Sequence, residues 1–102
     1  MMYNDMTDVM YALNKTKKIV NETLNGTMNF EVDFEEDSPT ITITFTSTMI
    51  NYKASLSVTK LSEMIDPSDP TSIAPDLAKT IIIEIILCAN RKTLIQILED
   101  LL

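Results

Sequence analysis

Residues 40–46 have the sequence Thr-Ile-Thr-Ile-Thr-Phe-Thr, in which polar and apolar side chains alternate strictly. Side chains of a β-strand point alternately to its two faces, so this stretch predicts a strand with one apolar and one polar face. The same alternation occurs upstream in residues 28–34, where Met, Phe, Val and Phe are separated by polar residues. It returns in residues 50–58, where the apolar residues occupy even positions instead of odd ones.

Two turns are expected between these strands. The polar segment Glu36-Asp37-Ser38-Pro39 separates the first strand from the second. The change from odd to even apolar positions requires a turn or bulge near Ser47 and Thr48. Three consecutive strands joined by short turns predict a three-stranded antiparallel meander, whose apolar face must be covered by other elements.

A helix is predicted on the N-terminal side of the meander, from Asp5 to Asn25. Its apolar residues recur every three or four positions and form one stripe. The chain's only glycine, Gly26, follows directly, and we expect it to end the helix in the C′ position.

The segment after the third strand predicts a loop and a second long helix. Lys60–Ile65 suits a single helical turn, and Asp66–Pro75 contains three prolines, which favours a loop. Residues 81–87 are β-branched enough for a strand, but the length and spacing of Pro75–Leu102 favour a helix. The whole chain, residues 1–102, is thus expected to be one α+β domain of order α-β-β-β-α.

That C-terminal helix would be apolar on two faces. One stripe contains Ile81, Ile82, Ile85, Ile86 and Ala89. The other runs the full length of the helix and contains Ile83, Leu87, Leu94, Ile97, Leu98 and Leu101. Since both must be buried, one can pack in the domain and the other needs the first helix or a second copy of the chain. The second stripe is therefore the predicted seam of a homodimer.

The composition favours a globular domain and disfavours nucleic acid and membranes as partners. The chain has 102 residues, 45% of them hydrophobic and 23% charged, which is typical of a globular domain. A formal net charge of −7 disfavours nucleic acid and anionic membranes as partners. Residues 81–87, interrupted by Glu84, are too few to cross a bilayer, so no membrane partner is expected. The N-terminal residues do not resemble a signal peptide, and the lone Cys88 suits a reducing compartment, so we expect a cytoplasmic protein.

Conventional catalytic motifs are missing from the sequence. The chain has no histidine, which removes Ser-His and Cys-His pairs and most zinc sites. A single glycine removes the phosphate-binding loop and the dinucleotide fingerprint. Cys88 lies among apolar residues without a nearby base. We therefore predict a protein that is not an enzyme and that uses no cofactor or metal.

Charged residues nevertheless form two candidate binding sets. The acidic set, on the polar face of the first strand and its turn, is either a solvated surface or a recognition site for a basic protein: Glu31, Asp33, Glu35, Glu36 and Asp37. The basic set either complements helix dipoles or contacts phosphate: Lys15, Lys17, Lys18, Arg91 and Lys92.

Several local features resemble the YbaB/EbfC family of small nucleoid-associated proteins. These are a Met-bearing first helix, Glu31-Val32-Asp33 followed by a polar turn and an alternating strand, the Asp66-Pro67-Ser68 turn, and Ala89-Asn90 in the last helix. The resemblance implies a homodimer that binds DNA.

The residues themselves favour another function. Small acidic chains without catalytic groups are typical of interaction modules such as adaptors, chaperones, toxin immunity proteins or phage-encoded inhibitors. Such a homodimeric module is our leading hypothesis, and DNA binding is the alternative.

Overall fold

The computed structural model describes residues 3–34, 39–48 and 50–101, and it describes the side chains of residues 6–34, 39–48, 50–91 and 95–101. Its elements, in chain order, are α1 (Tyr3–Leu24), β1 (Thr27–Asp33), β2 (Thr40–Thr46), β3 (Asn51–Ser57), α2 (Val58–Met64), a 3-10 helix (Pro70–Ile73) and α3 (Ala74–Leu101). The predicted α+β class and the order of helices and strands are confirmed.

The three strands form an antiparallel meander in the order β1-β2-β3. Ile43 of the central strand pairs with Phe30 and Ala54, and Phe45 pairs with Met28 and Tyr52. These residues lie on the face that packs against the helices, where Met28, Ile43 and Phe45 are buried. The threonines of β2 alternate with them on the opposite face, as the sequence predicts.

The turn between β2 and β3 lies where the sequence places it. The Ser47 N–H donates to the Ile50 carbonyl at 2.9 Å, and Thr46 pairs with Asn51. This four-residue connection reverses the chain and accounts for the change from odd to even apolar positions. Of the other predicted turn, residues 36–38 lie outside the described part of the chain.

Both outer strands are shorter than their apolar alternation predicts. Phe34 follows β1 and is 63% exposed, so its assignment to the apolar face is wrong. Val58 is buried but belongs to α2, because the Ser57 hydroxyl accepts the Lys60 N–H at 3.4 Å and caps a helix there. The single turn predicted at residues 60–65 is therefore a two-turn helix that begins earlier.

The role predicted for Gly26 is wrong. α1 ends at Leu24, and Asn25 adopts the left-handed conformation with φ 52°, whereas Gly26 has no positive φ. Gly26 is required for space instead, because a Cβ atom there would overlap the Phe45 ring and lie 2.8 Å from its Cε2. The same junction is tied to the sheet by the Asn21 side chain, whose Oδ1 accepts the Met28 N–H at 2.5 Å.

α3 confirms the helical prediction for residues 81–87. It begins at Ala74, with Pro75 in its first turn, and continues to Leu101. The predicted loop before it contains a turn at residues 66–69 and the 3-10 helix. α3 packs along α1, and no helix among the described residues is long and apolar enough to span a bilayer.

The core lies between the apolar face of the sheet and the helices. α1 contributes one buried face that includes Val9, Leu13 and Val20. Thr16 is also fully buried on this face, and its hydroxyl donates to the Ala12 carbonyl at 2.7 Å. From α3, Ile81 and Ile85 are buried. Beyond Ile85, no described side chain of α3 is buried.

Candidate functional site

Exposed apolar side chains are concentrated on α3. Seven of the ten large hydrophobic residues that the described part of the chain exposes belong to this helix, with exposures from 44% to 77%: Ile83, Ile86, Leu87, Ile95, Ile97, Leu98 and Leu101. Ile86 was predicted on the buried stripe, and its 44% exposure corrects that assignment. Such a concentration is unusual for the surface of a monomer and marks interaction sites.

Most of these side chains lie on one side of the helix. At about 100° per residue, Ile83, Leu87, Ile97, Leu98 and Leu101 fall within about one third of the helix circumference. We call this set the α3 strip. It contains every member of the predicted dimer seam except Leu94, whose side chain lies outside the described residues. The strip extends over 19 residues, or about 27 Å along the helix axis.

The acidic set lies partly on the polar face of the sheet. Glu31 and Asp33 are exposed on β1, where they pair with Thr42 and Thr40 across the polar face. The other three predicted members, at positions 35–37, lie outside the described residues. The exposed carboxylates are thus on the face opposite the core, where a partner could reach them.

The basic set is divided between two elements. Lys15 and Lys18 are exposed on α1, and Lys17 is half-buried there. Arg91 is on α3, where it lines a cavity beside β3. The Lys92 side chain lies outside the described residues. The described residues of the basic set therefore do not form one cluster: the lysines are on α1, and Arg91 is at the cavity beside β3.

Two cavities lie along the outer edge of β3, and neither of them is predicted from the sequence. The first has a volume of about 370 Å³ and is lined by Asn51, Tyr52, Lys53, Glu84, Leu87, Cys88 and Arg91. The second has a volume of about 310 Å³ and is lined by Ser55, Leu56, Ser57, Lys60, Leu61, Met64 and Leu77. Together they follow the whole length of β3, between the strand and helices α2 and α3. We call this feature the β3 groove.

A hydrogen bond links the two walls of the β3 groove. The Tyr52 hydroxyl on β3 donates to Glu84 Oε2 on α3. Burial raises the pKa of the Tyr52 phenol, and the hydrogen bond to Glu84 and the negative charge there raise it further. The pair thus connects the strand to α3 across the first cavity. It also occupies the one carboxylate that lines the first cavity.

The groove does not assemble a metal-binding cluster. Within the described residues, no group of three or more Cys, Asp or Glu side chains is close enough to hold a metal ion. Cys88 is half-buried beside Tyr52. The groups that could contact a ligand are the cations Lys53, Lys60 and Arg91, apolar side chains and the edge of β3.

Comparison of the chain with protein-family models, with curated proteins and with solved structures gives no match.

Proposed function

We propose that the protein is a small, acidic, non-enzymatic interaction module that forms a homodimer through the α3 strip. The single observation that carries this proposal is the row of large apolar side chains exposed along α3 from Ile83 to Leu101. Covering a half-exposed Leu or Ile side chain stabilises a complex by about 1 kcal/mol. Five such residues per copy supply enough to offset part of the entropic cost of association.

A second copy of the chain fits the strip, because most homodimers are two-fold symmetric and bring the same patch of both subunits together.

The acidic face supplies the second surface of the module. Glu31 and Asp33 are exposed on β1, away from both the core and α3. A dimer would therefore leave these two carboxylates free to bind a basic protein. We expect this of a cytoplasmic adaptor, chaperone, immunity protein or inhibitor. Charge complementarity of this kind acts mainly on association rate and specificity.

Sedimentation velocity at micromolar concentrations tests the dimer. Leu98→Asp should convert a dimer into a folded monomer, because it places a charge in the α3 strip without touching the core. Tyr11→Asp is a matched control, since Leu98 and Tyr11 are both 58% exposed and Tyr11 lies on α1. A wild-type protein that sediments as a monomer at about 100 μM, or a Leu98→Asp protein that remains a dimer, would contradict the proposal.

The second candidate function is DNA binding, which the exposed pair Lys15 and Lys18 on α1 favours. A gel-shift titration at about 50 mM salt separates the two functions, since non-specific DNA binding is strongest there. Retardation at low micromolar protein that disappears by about 200 mM salt would favour the DNA-binding function.

A further inference from the structure

β3 is a terminal strand whose outer backbone groups are directed into the β3 groove. The Val58 N–H donates to the Pro39 carbonyl at 3.1 Å, and the Ser47 N–H donates to the Ile50 carbonyl at 2.9 Å. These two bonds fix which pairs of the β2–β3 ladder exchange hydrogen bonds. Because the direction alternates along an antiparallel strand, the even residues of β3 bond to β2. The odd residues direct their N–H and C=O groups outward: Asn51, Lys53, Ser55 and Ser57.

The outward groups in the middle of the strand are unpaired. Within the described part of the chain, the backbone of Lys53 and of Ser55 has no hydrogen-bond partner on the outer side, whereas Ser57 is the N-cap of α2 and its carbonyl accepts the first bond of that helix. On the opposite edge of the sheet, the Asn21 side chain accepts the outward N–H of Met28 at the start of β1, and the β3 edge is distinguished by the cavities beside it. An open row of alternating donors and acceptors is a template for an added strand.

The walls of the groove specify what such a strand must carry. In an added strand, alternate side chains would point toward the helices, where Leu56, Met64, Leu77 and Leu87 offer apolar contacts. The intervening side chains would lie on the polar face, beside Lys53. Apolar and polar residues must therefore alternate in the added strand.

The charge of the groove is opposite to that of the whole protein. Lys53, Lys60 and Arg91 line its two cavities, and none of them forms an ion pair among the described residues. Glu84 is the single carboxylate in the lining, and it accepts the hydrogen bond from Tyr52. On a chain of net charge −7, this local excess of cations favours an acidic ligand.

We propose that the β3 groove binds an extended acidic segment of a partner protein, with alternating apolar residues, as a fourth strand of the sheet. The seven residues of β3 leave room for a segment of about seven residues, or about 23 Å. This proposal deepens the proposed function as an interaction module, and it does not require the dimer, although the groove adjoins the α3 strip at Leu87, which belongs to both. The site is also distinct from the acidic face, which would bind a basic partner.

Fluorescence anisotropy with a labelled synthetic peptide tests the proposal. The probe is a heptapeptide of alternating Glu and Val, and the control peptide has Lys in place of each Glu. We expect the acidic peptide to bind at micromolar to submillimolar concentration and the basic peptide to bind at least about tenfold more weakly. Equal binding of the two peptides, or no binding of the acidic peptide at about 1 mM, would overturn the proposal.

Two substitutions test the backbone contact and the charge separately. Ser55→Pro removes an outward N–H that β2 does not use, and proline is tolerated at a sheet edge, so it should weaken peptide binding about tenfold. Ser55→Ala retains the N–H and should leave binding unchanged. Lys53→Glu should weaken binding about fivefold, whereas Lys18→Glu, the same change on α1, should have no effect. If Ser55→Pro binds the peptide like the wild type, strand addition is refuted.

The outcomes also separate this site from the α3 strip. Leu98→Asp should bind the acidic peptide with wild-type affinity whether or not it changes the oligomeric state. If the wild type binds no peptide and Ser55→Pro converts its dimer into a monomer, the β3 edge is an interface between two copies of the chain, and the proposal is overturned.

Discussion

Gly26→Ala tests whether this glycine is required for space and not for its backbone conformation. The new Cβ would lie 2.8 Å from Phe45 Cε2, whereas carbon atoms in contact are about 3.5–4.0 Å apart. Phe45 Cζ would lie closer still, so the ring must move by more than about 1 Å, although Phe45 is fully buried on the central strand. Overpacking of this kind costs about 1–3 kcal/mol. Restricting the unfolded chain returns about 0.4–1 kcal/mol, since the φ of Gly26 suits alanine.

The difference of these ranges is about 0–2.6 kcal/mol, and the severe overlap with the ring of Phe45 places Gly26→Ala above its lower end, at about 1–2 kcal/mol, measured by urea unfolding. For a chain of this length, it corresponds to a fall in Tm of about 5–15 °C. A double-mutant cycle with Phe45→Leu identifies the cause, because the smaller side chain relieves the overlap. The double variant should then be less destabilised than the sum of the single variants by at least about 0.5 kcal/mol. Additive effects, or a neutral Gly26→Ala, would refute the argument from space.

Two titrations follow from the hydrogen bonds of individual side chains. Since the pKa of Tyr52 is raised above its ordinary 10.0, its contribution to stability is present below pH 10.0 and is lost as the pH rises through the folded pKa. The difference between the ultraviolet titrations of wild type and Tyr52→Phe should show this phenol ionising above pH 10.0, and a midpoint at or below that pH would contradict the contact with Glu84. Asp66 Oδ1 accepts the Ser68 N–H at 3.0 Å and the Ser68 hydroxyl at 2.7 Å, and these bonds lower the pKa of its carboxyl below 3.8. Its contribution to stability is thus present above pH 3.8 and is lost as the pH falls through the folded pKa. NMR should show that midpoint rising in Ser68→Ala, and an unchanged midpoint would refute the assignment.

Local periodicity predicts most of the fold because the buried residues recur at the spacing of a strand or a helix. The alternation in β2 places Ile41, Ile43 and Phe45 on the buried face, and the parity change marks the turn after Thr46. The helix in residues 81–87 prevails over β-branched propensity because Ile81 and Ile85 pack in the core at helical spacing. The alternation wrongly extends the third strand to Val58. The Ser57 side chain caps α2, so Val58 is the first residue of that helix.

The candidate sites are less accessible to sequence reasoning. The α3 strip follows from helical spacing alone, so its members could be named in advance. The β3 groove could not, because Tyr52 and Glu84 are 32 residues apart and only the packing of α3 against the sheet brings them together. Likewise, the close approach of Gly26 to Phe45 is a tertiary contact, and in the sequence Gly26 is the stronger candidate for the left-handed position that Asn25 adopts.

The length of α3 itself argues for a partner. Ile85 is the last fully buried residue of α3 among the side chains that the structure describes, and 16 residues follow it to Leu101, or about 24 Å of helix. An isolated helix of that length is marginal in water, and this one contains β-branched residues that favour a helix only weakly. The hydrogen bond from Gln96 Nε2 to Asp100 Oδ1, at 3.1 Å, adds a few tenths of a kcal/mol. Contacts from outside the monomer would therefore stabilise the end of α3. In the proposed dimer, the two α3 strips would supply such contacts and leave the acidic face of β1 open to a partner.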